Sequence, residues 1–309
     1  MDRIVKTGVI GCGVVSLSHI DSYLQIDGAD LVAVCDIRED RIAATRERYP
    51  DLKAATYDSV ETMLAESDVE AVSVCTDHAS HEQIVRQCLE AGKHAICEKA
   101  LTTSRESLER MVKLARDSKL VTAGIFQHRF DSAYRACREV LREGLLGKLL
   151  TVSVQHQCFR SDTYYTQDAW RGTWAGEGGS LLINQSIHFL DILQWLTGGV
   201  KSVSAHLANL AHDGSIETED TAAISMELKN GALATFAAST GSHRTWDSAI
   251  QFIGTHGDLH LENQTVTRCT HRDPDAAEPR RRQRRADPHA PHLAPLDQRH
   301  RDSAWPAHR

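Results

Sequence analysis

The clearest indication of the fold is the stretch Gly8-Val-Ile-Gly11-Cys-Gly13-Val-Val-Ser16-Leu-Ser-His19. It continues an apolar run that starts at Ile4, so it predicts a strand followed by a tight glycine turn and a helix. Gly11 and Gly13 allow the backbone to turn sharply and to approach a phosphate group without a Cβ clash. The helix that begins there directs its free N–H groups and the positive end of its dipole at the same point. The stretch therefore predicts a dinucleotide-binding turn, in which the small Ser16 allows close packing of helix against strand.

An acidic residue at the end of the next strand supports this prediction. Asp36 follows the apolar run Leu31–Cys35 and lies 20 residues after Ser16. A carboxylate at that distance accepts hydrogen bonds from the adenosine ribose, and it repels the 2′-phosphate that distinguishes NADP from NAD. We therefore expect NAD to be the preferred cofactor. The nearby Arg38 keeps NADP as the alternative.

The composition is that of a globular protein long enough for two domains. The chain has 309 residues, of which 41% are hydrophobic and 25% are charged. No apolar run approaches the roughly 20 residues of a membrane helix, and residues 1–6 have the pattern of a strand, not of a signal peptide. The eight cysteines form no C-x-x-C pair, which favours reduced thiols and a cytoplasmic location. No spacing of a metal site is present, so we expect neither a metal nor a membrane partner.

The pattern of apolar runs divides the chain into two domains of an α/β fold. In residues 1–126 short apolar runs alternate with amphipathic stretches, which predicts an NAD(P)-binding Rossmann domain with a doubly wound parallel sheet. In residues 127–268 the runs become longer and partly alternating, with one long helix at about 185–197. Lys229-Asn230-Gly231 joins two of these runs as a hairpin turn. We therefore predict a second, α+β domain with a mainly antiparallel sheet, which serves substrate binding and oligomerisation.

The C-terminal segment 269–309 differs in composition from the rest of the chain. Residues 270–309 hold nine arginines and no lysine against six acids, a net charge of +3 that leaves −10 for residues 1–269. They also hold six of the seven prolines. We expect this tail to be unstructured and the second domain to lack a closing element. The basic run Arg280–Arg285 is of a type that binds nucleic acid, but nothing else in the chain favours such a partner.

The abrupt change near residue 268 also suggests a specific origin for the tail. A switch to Arg, Pro, Ala, His and Asp is what an out-of-frame reading of GC-rich coding DNA would produce. The coding sequence tests this hypothesis. If neither alternative frame yields apolar strand and helix patterns beyond this point, the hypothesis is wrong.

Several motifs, taken in order, resemble those of one enzyme family. They are Gly11-x-Gly13-x-x-Ser16-x-x-His19, Asp36, Cys97-Glu98-Lys99-Ala100, Trp170-Arg171 and Gly178-Gly179-Ser-Leu-Leu-Ile-Asn184-Gln-Ser-Ile-His188-Phe-Leu-Asp191. Over about residues 4–265 the chain resembles the Gfo/Idh/MocA family of glucose-fructose oxidoreductase, inositol dehydrogenase and related sugar dehydrogenases. The resemblance implies an NAD(P)-dependent oxidoreductase that interconverts a hydroxyl and a ketone on a sugar, inositol or related polyol. The cofactor contacts expected from the turn and the resemblance are Gly11, Gly13, Val14, Val15, Ser16, Asp36, Arg38, Thr76, Glu98, Lys99 and Trp170.

The resemblance assigns the proton chemistry to Lys99 and His188. The family usually has Glu-Lys-Pro where this chain has Glu98-Lys99-Ala100, so the fixed φ of proline is missing here. Oxidation of a carbinol removes a proton from oxygen as hydride leaves carbon, and a partly desolvated lysine can accept that proton. His188 is the natural general base, or the group that shares the substrate proton with Lys99. The alternatives are a solvated lysine at a strand end and a core histidine beside Phe189.

Asn184 is expected to contact the substrate. It stands where the family commonly has the Asp of Asp-x-Gly-x-His, and it precedes His188 by four residues, so the two share one helix face. An amide can orient a substrate hydroxyl but cannot take its proton. The alternative is that Asn184 is the N-cap of the helix.

Further residues are expected on the same rim of the site. Arg171, Gln127 and Arg129 are candidate substrate contacts, the last two because they follow the strand that ends at Ile125. For the dipeptide Trp170-Arg171 the alternative is a packing tryptophan beside a surface arginine. Thr76 is expected near the cofactor, whereas His81 is expected to pack or to cap the next helix.

The leading interpretation is a dehydrogenase acting on CH–OH groups of a small sugar or polyol, with hydride going to C4 of the nicotinamide. We expect a homo-oligomer formed through the C-terminal sheet if that domain is intact. The chain departs from the family pattern at Ala100, at Asn184 and at Asp77, which stands where the family often has a proline after Thr76. These departures leave a non-catalytic NAD(P)-binding protein as one alternative. A hydrolase or lyase that retains NAD for transient oxidation is another.

Overall fold

Short, apolar segments form the strands of the first of two domains in the computed structural model, which describes residues 3–271 and 282–284. The strands are β1 (Val5–Ile10), β2 (Ala29–Cys35), β3 (Ala55–Tyr57), β4 (Ala71–Val74), β5 (His94–Cys97) and β6 (Thr122–Gly124). They pair in parallel in the order β3-β2-β1-β4-β5-β6. This is the order of a Rossmann sheet, which binds ligands beyond the carboxyl ends of its strands where the order reverses, between β1 and β4.

Five helices connect these strands, and two of their ends carry residue types that favour a helix terminus. The helices are α1 (Ser16–Gln25), α2 (Glu39–Arg48), α3 (Val60–Glu66), α4 (His81–Glu90) and α5 (Arg105–Ser118). Ser104 caps α5 by accepting a hydrogen bond from the N–H of Ser107 at 3.2 Å. Gly92 follows α4 with a φ of +73°. The short β3 and α3 were not predicted, because three and seven residues are too few to show a period.

The second domain is built on a sheet in which one pair of strands is parallel. Its strands are β7 (Leu149–Gln157), β8 (Val200–Ala208), β9 (Thr221–Leu228), β10 (Leu233–Ser239), β11 (Asp247–Gly254), β12 (Gly257–Glu262), β13 (Thr265–His271) and β14 (Arg282–Arg284). The order is β14-β13-β12-β11-β7-β10-β9-β8, and β7 with β10 is the parallel pair. Its helices are α6 (Ser132–Arg142), α7 (Asp162–Thr166) and α8 (Ile187–Thr197), with a 3-10 turn at Gln127–Phe130 and a π-helical turn at Leu181–Gln185. The predicted fold class is confirmed.

The core of this domain lies between the sheet and helices α6 and α8. Side chains of β7, β9 and β10 alternate between buried and exposed, so one face of the sheet is apolar. Tyr134 of α6 and Phe189 of α8 belong to the same buried cluster as Phe236 and Phe252 of the sheet. This packing fixes α8, and with it the turn that precedes it, against the sheet of the second domain.

The ordered strands extend beyond the predicted start of the tail. Strand β13 runs three residues past residue 268, and the backbone of Arg282–Arg284 pairs with it. The turn Asn263-Gln264, in which both residues have positive φ, returns the chain alongside β12, so that a second hairpin strand forms despite its polar composition. The rest of the tail prediction, for residues 272–281 and 285–309, lies outside the described residues, as does the reading-frame hypothesis.

Candidate active site

The glycine turn after β1 leaves open space at the N-terminus of α1. Gly11 has a φ of +90°, and a Cβ there would lie 2.7 Å from the backbone of Cys75. By contrast, a Cβ on Gly13 would have no heavy atom within 4 Å. The side chain of Val14 is 72% exposed beside this space, and Ser16 is buried with its Oγ donating to the Gly13 carbonyl at 2.6 Å. A helix N-terminus with such a gap fits the pyrophosphate of a dinucleotide.

Asp36 is held at the edge of this gap by backbone contacts. Its Oδ2 accepts the N–H of Cys12 at 2.7 Å and its Oδ1 accepts the N–H of Arg38 at 2.9 Å. The guanidinium of Arg38 points to Asp40, with Nη2 and Oδ2 2.6 Å apart. The position of the Asp36 carboxylate after β2 is therefore that of a ribose-binding acid, and the charge of Arg38 is already paired.

The loop after β4 is tied to the loop after β5 by a buried histidine. His81 is fully buried, and its ring nitrogens lie 3.1 Å from the carbonyl oxygen of Thr76 and 2.7 Å from that of Ala100. The Thr76 hydroxyl accepts a hydrogen bond from Ser80 at 2.8 Å. His81 is thus a packing residue, as expected, and it ties together the loops that follow the paired strands β4 and β5, which carry Thr76 and Lys99.

Lys99 reaches across the boundary between the two domains. Its Nζ donates to the backbone oxygen of Asn184 at 2.7 Å and to Oδ1 of the same residue at 2.5 Å. Burial lowers the pKa of Lys99 to about 8, against the opposing charges of Glu98 and Glu177. A lysine in this state exchanges protons near neutral pH, unlike a solvated lysine at a strand end.

The side chain of Glu98 holds the backbone of Lys99 through a hydrogen bond. Its side chain is buried, and its Oε2 accepts the N–H of Lys99 at 3.1 Å. Its Oε1 lies 2.9 Å from Nε2 of His19, whose Nδ1 lies 2.9 Å from the hydroxyl of Ser73. The structure therefore places Glu98, which we expected at the cofactor, in a polar network that orients Lys99.

His188 lies in the first turn of α8 and is 7% exposed. Its Nε2 is 3.5 Å from Nε2 of Gln127, and its buried Nδ1 has no hydrogen-bond partner among the described residues. Burial first, then the charges of Lys99, His128 and His156, lower the pKa of His188 to about 2. The imidazole therefore stays neutral at physiological pH, which favours hydrogen bonding to a substrate over the role of general base.

Asn184 lies in the π-helical turn that precedes α8. It is not the N-cap of α8, because that position is occupied by Ser186. Its Nδ2 donates to Oε1 of Glu177, a residue with 0% exposure. The predicted substrate contact thus bridges Lys99 and an acid that sequence reasoning missed. The only sequence feature that could have indicated this residue is the position of Glu177 as a single acid between Gly176 and Gly178.

Arg171 lines the same cleft through an aromatic cluster. Its guanidinium lies over the rings of Tyr164 and Trp170, 4.3 and 4.7 Å from their centroids, and it donates to the Tyr164 hydroxyl. Its side chain is 15% exposed, so it is not a surface arginine. The ring of Trp170 in turn lies 5.1 Å from that of His78.

Arg129 lies outside the cleft that Lys99, His188 and Arg171 line. Its Nε donates to Asp191 at 2.8 Å, and its guanidinium lies over the ring of Phe126. It lines a separate surface groove with Phe130 and Trp195. Of the residues expected on this rim, Gln127 is therefore the one that faces His188.

The described part of the chain lacks the features of a metal site and of a membrane-spanning helix. Residues 3–271 contain no group of three or more His, Cys, Asp or Glu side chains placed to hold a metal ion. Within the same residues no helix is long and apolar enough to cross a membrane.

Comparison with known proteins gives the family. A model described as "Oxidoreductase family, NAD-binding Rossmann fold" matches residues 5–125, and one for the "GFO/IDH/MocA C-terminal domain" matches residues 134–260. The chain is 27% identical over 266 residues to the myo-inositol 2-dehydrogenase of Thermotoga maritima, covering 85% of this chain and 77% of that protein. It is 32% identical over 241 residues to an inositol 2-dehydrogenase of Corynebacterium glutamicum, covering 75% and 66% respectively.

A solved structure agrees with this assignment. The WlbA dehydrogenase of Bordetella pertussis, in complex with NADH and UDP-GlcNAcA, is 27% identical and superposes with a TM-score of 0.83. The match covers 88% of this chain and 83% of that one. The Rossmann turn, the second domain and these matches lead to one conclusion: the chain belongs to the Gfo/Idh/MocA family and is an NAD-binding oxidoreductase.

Proposed function

We propose that the protein oxidises a secondary hydroxyl of inositol or a related sugar or polyol to a ketone, and catalyses the reverse reduction. The observation that carries this proposal is the buried lysine at the domain boundary. Asn184 holds Lys99 there, and Lys99 lies near enough to His188 for its charge to lower the pKa of the imidazole. The matches to inositol dehydrogenases support the choice of substrate class. The bound nicotinamide would supply the hydride acceptor, and Gly11, Gly13 and Asp36 would hold the cofactor.

The residues of the cleft have different roles at the substrate hydroxyl groups. Neutral Lys99 accepts the proton, because its pKa of about 8 lies near the operating pH. His188, which stays neutral, hydrogen-bonds the same hydroxyl and fixes its direction. Gln127, 3.5 Å from His188, and Arg171 would bind neighbouring hydroxyls.

A substrate panel tests the proposal directly. The full chain is incubated with NAD⁺ and each of a set of inositols, aldoses and sugar acids, and NADH formation is followed by absorbance. We expect turnover with at least one cyclic polyol. NADH binding without turnover across the panel would instead favour a non-catalytic role, and co-purified NAD without net NADH release would favour a lyase or hydrolase.

Asp36 should set the preference between the two nicotinamide cofactors. We expect NADH to bind at least roughly tenfold more tightly than NADPH, because a 2′-phosphate would face the Asp36 carboxylate while Arg38 is paired with Asp40. Asp36→Asn keeps a hydrogen-bond acceptor but removes the charge, so the ratio of the NADPH to the NADH dissociation constant should fall towards one. Fluorescence titration with both cofactors measures it, and an unchanged ratio would exclude Asp36 as the determinant.

The rate of polyol oxidation should rise with pH through a pKa of about 8. Lys99 must be deprotonated to accept a proton, so kcat/KM for oxidation increases up to the pKa of Lys99 and is level above it. Ketone reduction should show the opposite dependence. A rate profile from pH 5 to 10 checks this expectation. A flat profile over this range would mean that the base is already deprotonated at pH 5, as His188 is, and would contradict the role of Lys99 as proton acceptor.

The exposed face of the second sheet and the buried cysteines bear on the assembly and location of the protein. The sheet face opposite α6 and α8 exposes a row of small and polar side chains that would allow close approach of a second copy: Thr151, Ala223, Ser225, Thr235 and Ala237. We therefore propose a homo-oligomer through this sheet, and a monomeric mass in sedimentation velocity would contradict it. The seven buried thiols support a reducing, cytoplasmic location.

A further inference from the structure

We propose that Glu177 is a positioning residue, which holds the side-chain amide of Asn184 so that the amide oxygen faces the ammonium of Lys99. The effect of Glu177 on catalysis rests on the proposed function, in which Lys99 accepts the substrate proton. The arrangement itself is carried by the contacts among three side chains from three different segments of the chain.

The orientation of the Asn184 amide follows from the chemistry of its two neighbours. An ionised carboxylate only accepts hydrogen bonds, and an ammonium only donates them. Nδ2 of Asn184 donates to Oε1 of Glu177, which leaves Oδ1 to accept from Lys99 Nζ at 2.5 Å. A flipped amide would place its NH₂ against the ammonium and its oxygen against the carboxylate. Glu177 therefore selects the orientation in which Asn184 accepts from Lys99.

Glu177 is itself fixed by its surroundings. Its second carboxylate oxygen accepts the N–H of Gly172 at 2.5 Å, and its backbone oxygen lies 2.9 Å from Nδ1 of the buried His78. The next residue, Gly178, has a φ of +79°, and a Cβ there would lie 2.9 Å from Cβ of Thr103. The loop that carries Glu177 is thus packed against the segment just after Lys99. Although burial raises the pKa of Glu177, both oxygens accept N–H groups, which stabilises the ionised form.

The charge of Glu177 also bears on the proton affinity of Lys99. Where the related motif commonly has an Asp, this chain has Asn184, which carries no charge. Glu177 supplies a negative charge on the far side of Asn184 from Lys99. This charge raises the pKa of Lys99, whereas burial lowers it. The other charged or titratable groups that interact with Lys99 are Glu98, Arg160, Arg171, His78 and His188.

Glu177→Gln removes the charge with little change in shape and tests the proposal. A glutamine amide cannot accept from both Gly172 and Asn184, so the Asn184 amide loses its fixed orientation. We expect the pKa of Lys99 to fall by about one unit, and kcat to fall roughly 10- to 100-fold with a smaller change in KM. The pKa is read by NMR of the full chain with ¹³C-labelled lysine, in which the Lys99 signal is identified by its loss in Lys99→Met.

Glu219→Gln is the matched control. Glu219 is also a buried acid, and it accepts the backbone N–H groups of Ser180 and Leu182, but it makes no hydrogen bond to Asn184 or Lys99. We expect the pKa of Lys99 to be unchanged in this variant. A folded Glu177→Gln protein with an unchanged Lys99 pKa would overturn the proposal.

A second variant keeps the test decisive if Glu177→Gln does not fold. Glu177→Asp retains the charge but draws the carboxylate back by one methylene, so kcat should fall while the Lys99 pKa stays near its original value. Unchanged kcat in this variant would overturn the positioning role. The NMR titration needs no substrate, so a chain that oxidises no polyol yet shows the Lys99 shift in Glu177→Gln would contradict the proposed function and support the inference.

Discussion

Lys99→Met should lower kcat for polyol oxidation by about 1000-fold, since removal of a general base typically costs 10²- to 10⁴-fold. Methionine preserves the length and apolar stem of the side chain but cannot accept a proton. It also removes the donor to both oxygens of Asn184. The affinity for NADH should fall much less than kcat, because Lys99 is only one of the expected cofactor contacts and the glycine turn and Asp36 lie at other strand ends. Steady-state kinetics and an NADH titration of the same preparation measure the two effects.

Lys201→Met is the matched control for this variant. Lys201 lies on the edge strand β8, with its side chain 63% exposed and paired with Glu227, and we expect kcat to stay close to that of the unaltered protein. If Lys99→Met retained more than about one tenth of the original turnover, Lys99 would be a binding residue and not the proton acceptor.

Gly13→Val should raise the dissociation constant for NADH by roughly 100-fold, equivalent to about 2.8 kcal/mol. A Cβ at Gly13 meets nothing within 4 Å in the protein, so the substitution should leave the fold intact and fill the space assigned to the pyrophosphate. Fluorescence titration gives the affinity, and thermal unfolding without cofactor shows whether stability is preserved.

Gly28→Val provides the comparison for Gly13→Val. A Cβ at Gly28 also meets nothing within 4 Å, but this position precedes β2 at the opposite end of the strand from Asp36, so NADH affinity should not change. Gly11 offers no such test, because a Cβ there would press on the backbone of Cys75 and destabilise the turn itself. Equal NADH affinities for the Gly13 and Gly28 variants would mean that the cofactor phosphates lie elsewhere.

The sequence predicts those parts of the site that depend on local patterns. Gly11, Asp36 and Lys99 each follow an apolar strand, and parallel strands bring their carboxyl ends to one edge. The order of motifs was enough to identify the family. By contrast, strands and helices of three to seven residues, such as β3 and α3, give no periodic signal.

The missed parts of the site depend on contacts between distant segments. Glu177 acts through Asn184 because a loop turns back on itself at Gly172 and Gly178 and packs beside Thr103. The proton affinity of His188 depends on burial by the second domain and on Lys99, which is 89 residues earlier in the chain. Sequence spacing can indicate which residue types are available, but desolvation and partner choice arise only in the folded chain.

The central claim is that Lys99 accepts the hydroxyl proton while hydride passes to NAD⁺. A single-turnover experiment tests it most directly: excess protein and NAD⁺ are mixed with the best polyol of the panel, either unlabelled or deuterated at the carbon to be oxidised. NADH formation should be slowed by deuterium in the unaltered protein and nearly abolished in Lys99→Met. NADH formation at the same rate in Lys99→Met as in the unaltered protein would contradict it.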